Sequence, residues 1–269
     1  MNPSVLFVFI LSILLGVLRA ADLAFGTDAV TGLCVVGSVW WRYLALGIVV
    51  LAAVLVGRTQ PSRSEAVRSR RPLAGILAFV GAVCFLAAAG AQIALGAASG
   101  LGGFVRCILE CLCSAWLSTM GRCWLNPNEW KKPFGGLYLA VAGSLLFYWN
   151  VLLRFMENSS SWHRVEPTAM VWQMLAALVF LSAMVRALWL PETSNGCQLC
   201  EAGICTFLLC FCWELPRVLV LLFHGITAAD LPEVLFGFGM CCIGALGLFT
   251  VARVAGSDGR PAIPRHAVG

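Results

Sequence analysis

The residues best able to do chemistry sit where charge is most costly. From Ile204 to His224 the chain reads ICTFLLCFCWELPRVLVLLFH, a membrane-length apolar run with Glu214, Pro216 and Arg217 in its middle. A bilayer's hydrocarbon core is roughly 30 Å thick and takes about 20 apolar residues of helix to cross. Ionisable side chains at its centre are rare, and they face a partner or a watery cavity rather than lipid. Glu214 and Arg217 stand at i and i+3, so a helix puts them on one face. The 3.6-residue period adds Cys210 and His224 to that stripe. Pro216 withholds a backbone donor and crowds the preceding turn, which predicts a kink or a freed carbonyl beside the pair.

Two chemistries fit this pattern. In one, Glu214 binds a cation or a proton while Arg217 tunes its pKa or meets an anionic group on a substrate. In the other, the two form an ion pair, joined to Arg106 and Glu110, that fixes how helices pack. Arg106 and Glu110 repeat the acid–base theme at i, i+4 in an earlier apolar segment. The candidate intramembrane polar centre is therefore Glu214, Arg217, Arg106, Glu110 and Cys210. His224, near the boundary of its run, reads as interfacial.

The chain has 13 cysteines, mostly within apolar runs, where Cys behaves as a small apolar residue. Cys197, Cys200 and Cys205 form C-x2-C-x4-C and are a weak metal candidate. Structural zinc wants four Cys or His ligands, and in the inner loops only His266 in the tail could supply another. A redox C-x-x-C normally sits in a thioredoxin-like soluble context, which is missing. No metal and no cofactor is expected. The sequence holds no H-E-x-x-H, no G-x-S-x-G, no P-loop, and no span with a carboxylate pair, so no enzyme class is supported. CLCSAW at 111–116 and CFCW at 210–213 echo one another, but too briefly to mark the inverted repeat of a transporter.

The elements that must position these groups are membrane helices. Hydrophobic residues are 60% of the chain and charged ones 12%, about half of what a soluble domain carries. The reading is an all-α, polytopic transmembrane helix bundle of about eight spans, one integral membrane domain over 1–269 with no soluble domain. The spans fall near 4–25, 41–56, 73–98, 104–125, 134–153, 168–190, 204–224 and 235–254. There are seven if the first is a cleaved signal, though its leading residues lack Lys and Arg. The segment 104–125 carries Arg106, Glu110, Ser114, Ser118 and Arg122 as one polar stripe. It either spans with that stripe inward or lies along the interface. In the third span, Gly90-Ala91 and Ala94-Gly96 would permit close helix approach, and Gln92 could donate between helices. Trp40, Trp41 and Tyr43 suggest an interfacial belt.

Loop 58–72, with five arginines against one glutamate, is assigned to the cytoplasm, and both termini with it. This topology puts Arg19, Arg42, Arg106, Arg154 and Arg164 outside, Arg217 within the membrane, and the other 12 of the 18 basic residues inside. Asn158-Ser159-Ser160 is a glycosylation acceptor in an outer loop, meaningful only in a eukaryotic secretory pathway. The net charge of +5 sits at helix ends and does not point to nucleic acid. The expected partners are the lipid bilayer and a membrane protein or second copy of the chain, in a cell membrane. Function is read as a non-enzymatic, sensor-like or scaffold membrane component acting through a partner. The alternative is a small-solute or ion transporter with the Glu/Arg centre in its bundle.

Overall fold

The computed structural model describes residues 2–28, 33–60, 65–98, 100–131, 133–156, 165–189, 196–225 and 227–255. Among these there is no β-strand, only an isolated bridge between Thr27 and Cys34. The helices are α1 (Pro3–Ala21), α2 (Val39–Arg58), α3 (Pro72–Ala94), α4 (Gly100–Leu125), α5 (Gly136–Met156), α6 (Val165–Trp189), α7 (Gly196–Thr206), α8 (Glu214–His224) and α9 (Leu231–Val254). A π-helical segment, Phe207–Trp213, joins α7 to α8 into one rod, so eight helical segments are long and apolar enough to cross a membrane. Asn158, Lys132, Arg164, Arg63 and the tail from 256 lie outside the described residues, as do the side chains of Lys131 and His224.

Local chemistry sets the ends. Pro3, Pro72 and Pro232 occupy first-turn positions, where a missing N–H costs nothing. Asn2 and Ser38 cap α1 and α2 by accepting from Ser4 N at 3.3 Å and Trp40 N at 3.4 Å. Gly96 (φ 65°) and Gly225 (φ 91°) follow α3 and α8 in backbone conformations that other residues avoid. The third span therefore stops at Ala94, short of 98, and Gln92 O instead accepts from Ala97 N at 2.9 Å.

Packing divides the helices into core and rim. Of the most apolar stretch, 72% is buried in α9 and 67% in the α7–α8 rod, against 22% in α2 and 28% in α5. The rod and α9 form the axis, and α1, α2, α3 and α6 surround it. Glycine makes the axial contact close: a Cβ at Gly247 would stand 2.5 Å from Gly203 O, and one at Gly244 2.6 Å from Phe211 N. The expected close approach at Gly90 is absent, since a Cβ there meets nothing within 4 Å. Helices α3 and α4 touch near their other ends, at Gly75 and Gly121. Segment 104–125 runs through the bundle between α3 and α5, with Glu110 and Ser114 buried and Ser114 Oγ donating to Ala82 O at 2.7 Å. The first part of its polar stripe turns inward, where Ser114 finds a carbonyl acceptor and Glu110 finds donors on Gln92 and Arg106, while Arg122 stays exposed beside Glu129.

The first helix is built into the core. Val5, Val8 and Phe9 are buried, and Phe9 meets the Phe207 ring edge-on at 5.2 Å. The start of α1 and the loop after α2 share one end of the bundle: Asn2 Nδ2 donates to Gln60 Oε1 at 3.5 Å, and the turn at 65–68 packs against α9. This is the arginine-rich end. Its loop is pinned by Trp124, whose Nε1 donates to Val67 O at 3.1 Å and whose carbonyl accepts from Arg71 N at 2.9 Å.

Candidate functional site

Glu214 begins α8, and Gln173 of α6 donates to its Oε2 from Nε2 at 2.9 Å. Arg217, one turn on, holds Oε1 at 3.3 Å. The same guanidinium puts Nε 2.7 Å from Glu166 Oε1 on α6 and Nη2 3.8 Å from Glu233 Oε2 on α9. Glu233 then reaches Arg106 Nη1 on α4 at 3.2 Å, and Arg106 Nε donates to Glu110 Oε1 at 3.0 Å. Gln92 of α3 closes the chain, donating from Nε2 to both Glu110 oxygens at 2.9 and 3.1 Å. The Arg106 guanidinium also lies 4.9 Å over the Phe236 ring.

One continuous network therefore links five membrane helices, and it unites the two acid–base pairs that the sequence presents separately. The link is Glu233. It and Glu166 are invisible to the span assignment because α9 and α6 begin at Leu231 and Val165, a turn earlier than hydropathy suggests. Their sequence signal is an acidic residue beside proline, Pro232-Glu233 and Glu166-Pro167, which marks a helix first turn. Gln92, expected to donate between helices, and Gln173 of α6 are the amides that finish the network.

Depth also differs from the mid-membrane picture. Glu166 and Glu233 lie in the first turns of their helices, and Arg106 lies in the second turn of α4. Glu214 is ten residues from His224, and Glu110 is ten from Gly100, each roughly 15 Å along its helix, so these two acids reach mid-span. The network thus descends from one end of the bundle, opposite the arginine-rich end, to the centre.

A cavity of about 340 Å³ opens on this network. Its wall includes Arg106, Glu214, Arg217 and Glu233, with Gln173 and Asn150, while Met170, Met174, Phe236 and Met240 supply the apolar part. Arg154 stands at the same wall, on the last turn of α5. Glu110 is fully buried behind Arg106 and outside the cavity. Cys210, expected in the polar centre, sits behind the network. It is fully buried and donates from Sγ to Gln173 O at 3.4 Å, so it backs the amide that holds Glu214 and does not face the cavity.

The expected break at Pro216 is displaced. Helix α8 is regular through the proline, and the irregularity is the π segment just before Glu214. Pro216 cannot donate to Cys212 O one turn back, and a Cβ at Gly16 of α1 would stand only 2.6 Å from that oxygen. Glycine at this position lets α1 close over the freed carbonyl. Within the π segment, Leu209 O accepts from Gln173 Nε2 at 3.2 Å, so the wide turn and the glutamate share one amide. Gly237 of α9 makes room for the acid: its Cβ would lie 2.8 Å from Glu214 Oε1.

Cys197, Cys200 and Cys205 all lie on α7, which starts eight residues before Ile204. Cys200 is buried, the other two are half-buried, and no three potential metal ligands gather among the described residues. Apart from the network, Asp22 pairs with Arg19 at 2.8 Å and with Arg42, and Arg19 stacks 4.8 Å over Trp213. That cluster clasps the end of α1 to α2. Comparison of the chain with protein-family models, with curated proteins and with solved structures finds no match, so the function must be read from the site itself.

Proposed function

We propose that this multi-pass protein is a non-enzymatic, sensor-like component of a cell membrane that binds a small polar solute in the charged cavity. The observation that carries the reading is the cavity itself. A network serving only to fasten helices would be packed shut, whereas here two guanidiniums and two carboxylates of the network border open space. Its volume of about 340 Å³ falls at the lower end of small-molecule sites, roughly 300–1,000 Å³. Guanidinium forks suit carboxylate or phosphate groups, and Glu214 and Glu233 suit an ammonium, so a charged or zwitterionic solute fits the wall. Occupancy would redistribute the three carboxylates around Arg217 and so bias how α6, α8 and α9 pack. A membrane protein partner or second copy would read that change. The arginine excess supports cytoplasmic termini, and with them a cavity mouth on the outer side.

The runner-up is a small-solute or ion transporter. It is favoured by the π segment and Pro216 next to Glu214, because interrupted helices beside a charged site are a feature of transporters. Both readings require water at Glu214. In a folded, cysteine-free background, Met170→Cys should react with a charged thiol reagent added to the outer face of native membranes. Silence there, with normal labelling after denaturation, would leave the network as packing alone. Labelling from either face would move the transporter ahead. A solute raising thermal stability in the wild type but not in Glu214→Gln would identify the ligand, and its uptake into proteoliposomes separates transport from sensing.

A further inference from the structure

Helices α2, α6 and α7 leave a second recess, at the arginine-rich end. It is an open groove of about 860 Å³, floored by α7 and the start of the π segment from Gln198 to Leu209. Val50 of α2 forms one wall, and Trp172, Leu175 and Val179 of α6 form the other. The groove exists because α2 is seated on α7 rather than on α6. A Cβ at Gly57 would stand 2.3 Å from Glu201 Cα, so backbones touch there. Helices α2 and α6 are tied near their opposite ends, where the Tyr43 hydroxyl donates to Thr168 Oγ1 at 3.2 Å. The recess is therefore a wedge that widens towards the arginine-rich end.

Its length and charge name an occupant. Gln198 to Leu209 is twelve residues, about 16 Å of helix from first to last, against about 15 Å for the hydrocarbon of one leaflet. The polar groups collect at one end: Arg58, Arg186, Gln198 and Glu201. Arg58 Nε lies 3.3 Å from Glu201 Oε2, while Arg186 is exposed and has no ion-pair partner among the described residues. Among the described residues, two cations against one carboxylate leave a positive mouth on an apolar trough one leaflet deep.

We propose that this groove binds one anionic phospholipid from the leaflet at the arginine-rich end. An acyl chain lies along Val50, Leu175 and Val179, and the phosphate rests on Arg186 and Arg58. A basic recess between spans at a membrane's arginine-rich face is the setting in which acidic headgroups are held. A zwitterionic lipid brings an ammonium that offsets this attraction, and a free anion makes no use of the trough.

The full-length protein in a neutral detergent tests this with phosphatidylglycerol, phosphatidylcholine or inorganic phosphate added. The readouts are the melting midpoint and the lipid retained in intact-protein mass spectra. Phosphatidylglycerol should raise the midpoint and persist as a single adduct, while phosphatidylcholine and phosphate do neither. Arg186→Gln, at an exposed helix end, should lower phosphatidylglycerol retention about fivefold. Val179→Trp should fill the trough and abolish retention with both arginines intact. Equal retention of phosphatidylcholine, reproduction of the shift by phosphate alone, or wild-type retention in both variants would overturn the assignment.

Discussion

At the charged cavity, Arg217 keeps 10% of its side chain exposed and stands among three carboxylates; at the lateral groove, Arg58 keeps 68% and has one. Both are arginines beside glutamates on membrane helices, and the same chemistry has different consequences in the two places. Buried charge is tolerable only if paired on every side, so the cavity network extends until amides and carboxylates satisfy it. Exposed charge near a helix end keeps its water or a headgroup, and one loose pair suffices. Burial, not residue type, decides which arginine holds the fold together.

The comparison is tested most severely by Arg217→Leu. It leaves Glu166, Glu214 and Glu233 close together without the guanidinium they share, while Arg106 still pairs with Glu233. Removing one partner of a buried ion pair costs about 3–5 kcal/mol. The variant should lose most of its folded yield or its unfolding midpoint in detergent. A midpoint within a degree of wild type would mean that the network contributes nothing to stability.

Glu214→Gln should cost less, about 1–3 kcal/mol for a disrupted buried hydrogen bond. Arg217 retains Glu166 and Glu233, and the new amide still fills the space before Gly237. The useful contrast is with Glu214→Ala, which removes the acceptor for Gln173 as well and should be clearly worse. Equal loss in both, measured by thermal unfolding, would mean that charge alone matters and the Gln173 bond is incidental.

Gly237→Ala sharpens the geometric side. The added methyl would lie 2.6 Å from Val218 Cγ2 and 2.8 Å from Glu214 Oε1, so side chain and carboxylate must both shift. Overpacking of this kind costs about 1–3 kcal/mol. It should also change solute affinity at the cavity without touching a charge. A variant with normal stability and binding would show that Glu214 can move freely, and its placement by α9 would be dispensable.

How much of this was legible in the chain differs between the two regions. Eight apolar runs and their arginine asymmetry are composition, and composition survives folding; Glu214 and Arg217 as one pair follow from helical period alone. The linking role of Glu233 does not, because it depends on α4, α8 and α9 meeting at one level, over 127 residues of separation from Arg106. The π segment was equally hidden. Pro216 announces a missing donor, but which neighbouring turn widens is set by Gln173 taking Leu209 O and by Gly16 meeting Cys212 O. Cys210 is on the Glu214 side, as the helical period predicts, but its thiol meets Gln173 O, a partner that depends on how α6 packs. The groove had no sequence signal, being the space left where α2 sits on α7.

The smallest expected effect comes from Arg58 and Glu201, and it is the one that would break the comparison. A double-mutant cycle with Arg58→Gln and Glu201→Gln should return a coupling of about 0.2–1 kcal/mol, as for other exposed pairs. Added salt should reduce it further, because the pair is open to screening. The same cycle on Glu214 and Arg217 should give a larger coupling that salt barely alters. If the Arg58–Glu201 coupling matched it, exposure would not be what separates the two sites. The tight seat of Gly57 on Glu201 would then be the better explanation, since it fixes the partner's backbone and removes the entropic cost that normally makes surface pairs weak.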